Sequence, residues 1–191
     1  MNVSAALRLP KLRSHLAEQI LPEATVQRLL ALEGDPRNRA LLRLAYAGGL
    51  RVSELVGLAW RDLQPREDAG QVTVFGKGGK TRAVLLSAAT WTELSALRRD
   101  AGADDPVFRS RRGGHLDPRQ VRRIVLGAAR RAGLEAKVSP HWLRHAHASH
   151  ALDRGAPVHL VAATLGHASI ATTGKYAHAR PSDSSSLYLA V

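Results

Sequence analysis

With 191 residues, 45% apolar and 23% charged, the chain has enough material for one domain with a real core. Its 28 Lys and Arg against 16 Asp and Glu leave a net charge of +12, beyond the roughly 2 to 8 units that solubility asks of a small domain, so a polyanion is expected, nucleic acid before membrane. The absence of cysteine excludes disulfides, thiolate metal sites and a cysteine nucleophile, and with no apolar run near the roughly 20 residues of a membrane span and no charged-then-apolar start, a cytoplasmic, nucleoid-associated protein is expected.

Residues 1–21 hold Pro10 and scattered basic side chains without a helical stripe, and are expected to form an arm or interdomain linker. Pro22-Glu23 opens a helix with Val26, Leu29 and Leu30 on one face, closed by Gly34. Asp35-Pro36, a cap and a first-turn proline, starts the next, through Leu41, Leu42, Leu44 and Ala45 to Gly48-Gly49. A short helix follows over Ser53–Leu58. From Gln71 the period becomes two: Val72 and Val74, a Gly76-Lys77-Gly78-Gly79 turn, then Arg82 to Leu86, which predicts a β-hairpin. Further helices are expected over about 88–99, from Asp117-Pro118 to Gly133, from Ser139-Pro140 to Gly155, and from Pro157 to Gly166. Seven or eight helices with a small β-hairpin or three-stranded sheet make a mainly α, α+β fold, with a domain over 22–180 and a tail over 181–191.

Chemistry concentrates late in the chain. His141-Trp142-Leu143-Arg144-His145, Leu165-Gly166-His167 and Tyr176 fall within a stretch of 36 residues. At 100° per residue His141, Arg144 and His145 share one helical face, whereas His147 and His150 turn away and are expected to be structural. The i, i+4 pair His141 and His145 has the spacing of helical zinc ligands, but Trp142 stands where a zincin needs Glu and Arg144 lies between them, so no metal is expected.

Taken in order, Ala47-Gly48-Gly49-Leu50-Arg51-Val52-Ser53-Glu54-Leu55, Gly76-Lys77-Gly78-Gly79-Lys80-Thr81-Arg82, His141-Trp142-Leu143-Arg144-His145, Leu165-Gly166-His167 and Tyr176 closely resemble the catalytic domain of the tyrosine recombinases, the phage-integrase and Xer-type family, from about Ile20 to Tyr176. The resemblance implies that fold, and site-specific DNA recombination through a covalent 3′-phosphotyrosine. Arg51 and Arg144 would clamp the scissile phosphate by bidentate hydrogen bonds that lysine cannot reproduce. Tyr176 would be the nucleophile, helped by the cationic pocket. Lys77 would protonate the departing 5′ oxygen, with Lys80 its competitor for that role. His141 would move a proton or polarise the tyrosine, His167 would donate to the phosphate, Glu54 would orient Arg51, and His145 would support the site from behind. Arg111, Arg112, Arg119, Arg122 and Arg123, with Lys80, Arg82 and Lys175, are expected to track the phosphates of double-stranded DNA. No cofactor is implied, and a tetramer on DNA is.

That family usually carries an N-terminal DNA-clamping domain as well, so these residues are expected to be either the catalytic domain alone, with residues 1–21 as the linker, or a naturally short member; Gly174 stands where a larger residue is common. Two other readings keep the fold: an accessory DNA-binding module that does not cleave, and a type IB topoisomerase-like relaxing enzyme.

Overall fold

Among the described residues, eight helices surround a three-stranded antiparallel sheet in a computed structural model that describes residues 19–67, 69–76, 81–135 and 138–176. In chain order they are α1 (Glu23–Ala31), α2 (Pro36–Ala47), α3 (Val52–Gly57), a 3-10 turn (Trp60–Asp62), β1 (Leu63–Arg66), β2 (Ala69–Phe75), β3 (Thr81–Leu86), α4 (Ala88–Ser95), α5 (Pro118–Arg131), α6 (Pro140–Asp153), α7 (Val158–Leu165) and α8 (Ile170–Gly174). The mainly α, α+β reading is the observed one.

The helix starts follow local chemistry. Asp35 accepts from the N–H groups of Arg37 at 2.9 Å and Asn38 at 3.2 Å, with Pro36 in the first turn where its missing N–H costs nothing. Asp117 and Gln120 satisfy each other's backbone N–H at 2.8 Å, a reciprocal box that starts α5 on Pro118. Ser139 makes no such side-chain bond, so α6 begins on the fixed φ of Pro140 alone.

Three details depart from expectation. β1 lies at the sheet edge, the position that tolerates its Pro65, which the strand pattern had no means to place. The helix expected over 88–99 ends at Ser95 and gives way to turns in which Arg99 takes a positive φ of 45°. The segment before Tyr176 is itself a short helix, α8, whose start is capped by Ser169.

The sheet pairs β1-β2-β3 in sequence, with Val72 opposite Val84 and Val74 opposite Arg82. Val72, Val74, Val84 and Leu86 face the core, while Phe75 and Leu85 are exposed. α2 packs on α6 and on α4, and one buried cluster runs through α1, α2, α5, α6 and the sheet. A second, smaller cluster holds Ala148, Val161, Leu165 and Tyr176 between α6, α7 and the end of α8. No helix among the described residues is long and apolar enough to cross a membrane.

Candidate active site

Two loops meet at the C-terminal side of α7, and glycine lets them. Gly49 sits at φ 58°, and a Cβ there would lie 2.5 Å from the Leu165 side chain, so the backbone passes closer than any other residue allows. Gly166 ends α7 at φ 64°, the left-handed conformation of a helix C-cap. These turns leave the carbonyls of Gly49, Leu165 and Gly166 facing one pocket.

Two guanidiniums answer them. Arg144, 4% exposed, donates Nη1 to the Gly49 carbonyl and Nη2 to that of Leu165 at 2.6 Å. Arg51, at the N-cap of α3, donates Nη2 to the Gly166 carbonyl at 3.3 Å and Nη1 to Glu54 Oε1 at 3.0 Å. Each arginine thus spans from its own element to the α7 turn, which sets two cations close together. Burial first, and then the Arg51 charge, push the Arg144 pKa down to about 10, so Arg144 remains cationic at neutral pH. Like charges held this close, with N–H donors unspent, suit a bidentate tetrahedral oxyanion.

Glu54 anchors the pair from beneath. Its side chain is 5% exposed and accepts from the Arg51 backbone N–H at 2.7 Å, from Arg51 Nη1, and from both terminal nitrogens of Arg82 at 2.9 and 2.8 Å. Burial alone would push the carboxyl pKa up; the Arg82 hydrogen bonds, with those from Arg51, outweigh it and hold the group below its ordinary value. Arg82 also donates Nε to the Thr164 carbonyl at 2.7 Å, and its side chain is only 12% exposed. The expectation that Arg82 faces DNA is therefore corrected: it is turned inward and joins β3, α3 and the end of α7.

The imidazoles and the phenol complete the pocket. His141 and His145 stack edge to face with ring centroids 4.0 Å apart. His145, 5% exposed, shares a hydrogen bond through Nδ1 with the Tyr176 hydroxyl, and that ring is itself buried against Ala148, Val161 and Leu165. His167 Nδ1 pairs with the buried Thr173 hydroxyl at 2.8 Å, a partner that the sequence offered only as one of two adjacent threonines. At Tyr176 burial raises the pKa and outweighs the lowering by the Arg144 charge. His147 and His150 tie α6 to α2, His147 donating Nδ1–H to the Tyr46 carbonyl at 2.8 Å with its ring against Gly49, and His150 meeting the Tyr46 hydroxyl at 2.9 Å.

Arg51, Glu54, His141, Arg144, His145, His167 and Tyr176 are thus brought together, while Lys77 and Lys80 lie outside the described residues. Arg111, Arg112, Arg119, Arg122, Arg123 and Lys175 are all exposed. Arg111, Arg112 and Arg123, with Arg37 and Arg131, line a groove of about 790 Å³ between α2, the 110–117 loop and α5.

The buried histidines make stability depend on pH. Burial, and then neighbouring charges (His141 before Arg144 at His145, Arg144 before Arg51 at His167), lower both pKa values to about 4. The unfolded chain, with His near 6.5, binds these protons first, so stability is full above about pH 6.5 and is lost as pH falls toward 4. Each group adds a slope of at most about 1.4 kcal/mol per pH unit. Melting temperature measured from pH 7.5 to 5 should fall steadily, and less steeply in His145→Asn; a flat profile would contradict the buried neutral imidazoles.

A helical domain with this sheet and these two arginine-bridged loops has the fold of the tyrosine recombinase catalytic domains. It matches the crystal structure of XerA recombinase with a TM-score of 0.76 and 31% identity, over 85% of this chain and 61% of that one. The pre-cleavage complex of the XerH site-specific recombinase bound to its difH substrate gives 0.76 and 26%, over 85% and 51%. Among curated proteins, the tyrosine recombinase XerC of Xanthomonas campestris pv. campestris (strain B100) is 43% identical over 181 residues, covering 92% of this chain and 55% of the relative. XerD of Shewanella oneidensis is 40% identical over 186 residues, covering 91% and 61%. The chain spans little more than half the length of these relatives. It belongs to the phage integrase family, whose sequence model matches residues 12–183.

Proposed function

We propose that this chain carries the catalytic unit, residues 22–180, of a site-specific DNA recombinase that cleaves and rejoins strands through a 3′-phosphotyrosyl link at Tyr176. The observation that carries the reading is the convergence of Arg51 and Arg144 on the carbonyls of Gly49, Leu165 and Gly166, beside a tyrosine hydroxyl and three imidazoles. Family membership supports it.

In this mechanism the scissile phosphate lies between the two guanidiniums, which stabilise charge on its non-bridging oxygens, while His167 adds a donor. Tyr176 Oη attacks phosphorus in line, its proton leaves toward the imidazole side of the pocket, and the P–O5′ bond breaks. Lys77 gives a proton to the departing 5′ oxygen. The covalent link conserves the phosphodiester energy, so a 5′-hydroxyl reseals the strand by the reverse steps without a nucleotide cofactor. Double-stranded DNA is the proposed substrate, held by the basic groove beside α5 and by Arg119, Arg122 and Lys175, and cleavage is proposed to proceed in a homotetramer at the nucleoid.

Incubation with a nicked suicide substrate should yield an SDS-resistant protein–DNA adduct that maps to Tyr176 and is absent from Tyr176→Phe. An adduct surviving that substitution would sink the assignment. Strand exchange between two sites, against relaxation of any supercoiled plasmid by a monomer, separates recombination from topoisomerase-like activity.

A further inference from the structure

One buried titratable side chain next to the nucleophile has no individual role in the steps above. His145 follows Arg144 on α6, is 5% exposed, and is the one hydrogen-bond partner of the Tyr176 hydroxyl among the described residues. The tyrosine ring is fixed by apolar packing against Ala148, Val161 and Leu165. Packing sets where a ring lies but not where its O–H points, since that hydrogen rotates to suit its neighbours.

The pocket offers the hydrogen few destinations. Arg144, next to His145 in sequence, and Arg51 are donors only and have no lone pair to accept a phenol. His167 meets the Thr173 hydroxyl through Nδ1, and neither it nor His141 is hydrogen-bonded to the phenol among the described residues. His145 is left, its ring braced edge-on by His141 at 4.0 Å and kept from a further proton by burial first and then by neighbouring charges. A neutral imidazole has one lone pair, and Nδ1 is the nitrogen that faces the phenol.

We propose that His145 is the positioning residue of the nucleophile: its neutral Nδ1 accepts the Tyr176 O–H hydrogen and turns the oxygen lone pairs toward the phosphate clamp. This rests on the reading of Tyr176 as nucleophile. The contribution is orientational. A phenol whose hydrogen pointed into the clamp would meet the phosphate with the wrong end, and a rotating one would reach the attacking geometry only part of the time. His141, the more exposed of the two rings, then acts on this contact only through its packing against His145.

The test compares loss and retention of the acceptor. His145→Leu keeps the buried volume without a lone pair, with His145→Ala in its place should the leucine variant not fold. His145→Asn puts an amide oxygen where Nδ1 stood. Adduct formation on a suicide substrate should slow roughly 10²-fold in the apolar variant, the scale of a lost acid–base or orienting partner, and return to within about tenfold of wild type in the asparagine variant, with DNA affinity unchanged in both.

A second substrate, with sulfur replacing the bridging 5′ oxygen, removes the need for a proton on the leaving group. It should repair Lys77→Ala and leave the His145→Leu defect in place, because that defect belongs to attack. Wild-type rates in the apolar variant, an asparagine variant that folds and binds DNA yet cleaves no faster than leucine, or repair of His145→Leu by the sulfur substrate would each overturn the proposal. If wild-type protein itself forms no adduct, the recombinase reading fails; an adduct in wild type that is unaffected in His145→Leu rejects the positioning role alone.

Discussion

Arg144→Ala is expected to lower the rate of covalent adduct formation by roughly 10²- to 10³-fold, the usual cost of one preorganised charge-stabilising donor, and to weaken the fold at the same time. The guanidinium is the piece that holds the α2–α3 loop against the α7 turn, through the Gly49 and Leu165 carbonyls. Hydrogen bonds from a charged donor contribute about 1.5 to 3 kcal/mol each, and two buried acceptors lose theirs together. Relief of the repulsion between Arg144 and Arg51 offsets part of this, so a net loss of about 2 to 4 kcal/mol is expected. Arg144→Lys should recover little of either, because one ammonium cannot reach two carbonyls and a phosphate in fixed directions. Urea unfolding and single-turnover cleavage measure the two effects separately. A variant as stable as wild type would show that the loop contact is incidental.

The second large effect is expected beneath the clamp. Glu54 and Arg82 form an inward pair, 5% and 12% exposed; without Arg82, Glu54 keeps only its Arg51 donors, and without Glu54, the Arg82 charge keeps only the Thr164 carbonyl. Arg82→Met should therefore cost up to about 3 kcal/mol, below the full penalty of an uncompensated buried charge because Arg51 still faces Glu54, while Arg82→Met with Glu54→Gln should cost less than the sum of the single changes, since the Glu54–Arg82 pair is broken only once. Additive losses in that cycle would mean that the two side chains are independent. Cleavage should fall as well, because Glu54 also fixes Arg51 through its backbone N–H and its guanidinium.

Arg82 also shows how a readable signal was passed over. It lies two residues before Val84 and four before Leu86, in phase with the core face of β3, so the alternation that identified the strand already pointed this arginine inward. Its positive charge, in a chain of net charge +12, suggested DNA instead. β1 failed to stand out for the opposite reason: Pro65 interrupts its pattern, and only its place at the sheet edge makes that harmless. Helices α2, α5 and α6, the last of which carries His141, Arg144 and His145, were plain because their starts are local, written in Asp35-Pro36, Asp117-Pro118 and Ser139-Pro140.

By itself the sequence determined which side chains are available to the pocket and on which elements they ride. Periodicity, caps and glycine breaks act over a few residues, and the ordered motifs keep their spacing whether or not the chain is folded. Only the tertiary structure decided what those side chains do to one another: that Arg144 spends two donors on carbonyls 95 and 21 residues away, that Arg82 turns to Glu54, that burial outweighs the Arg144 charge at the Tyr176 phenol and raises its pKa, and that His145 is the ring it meets. Each depends on desolvation and on contacts between loops far apart in sequence, which no local pattern encodes.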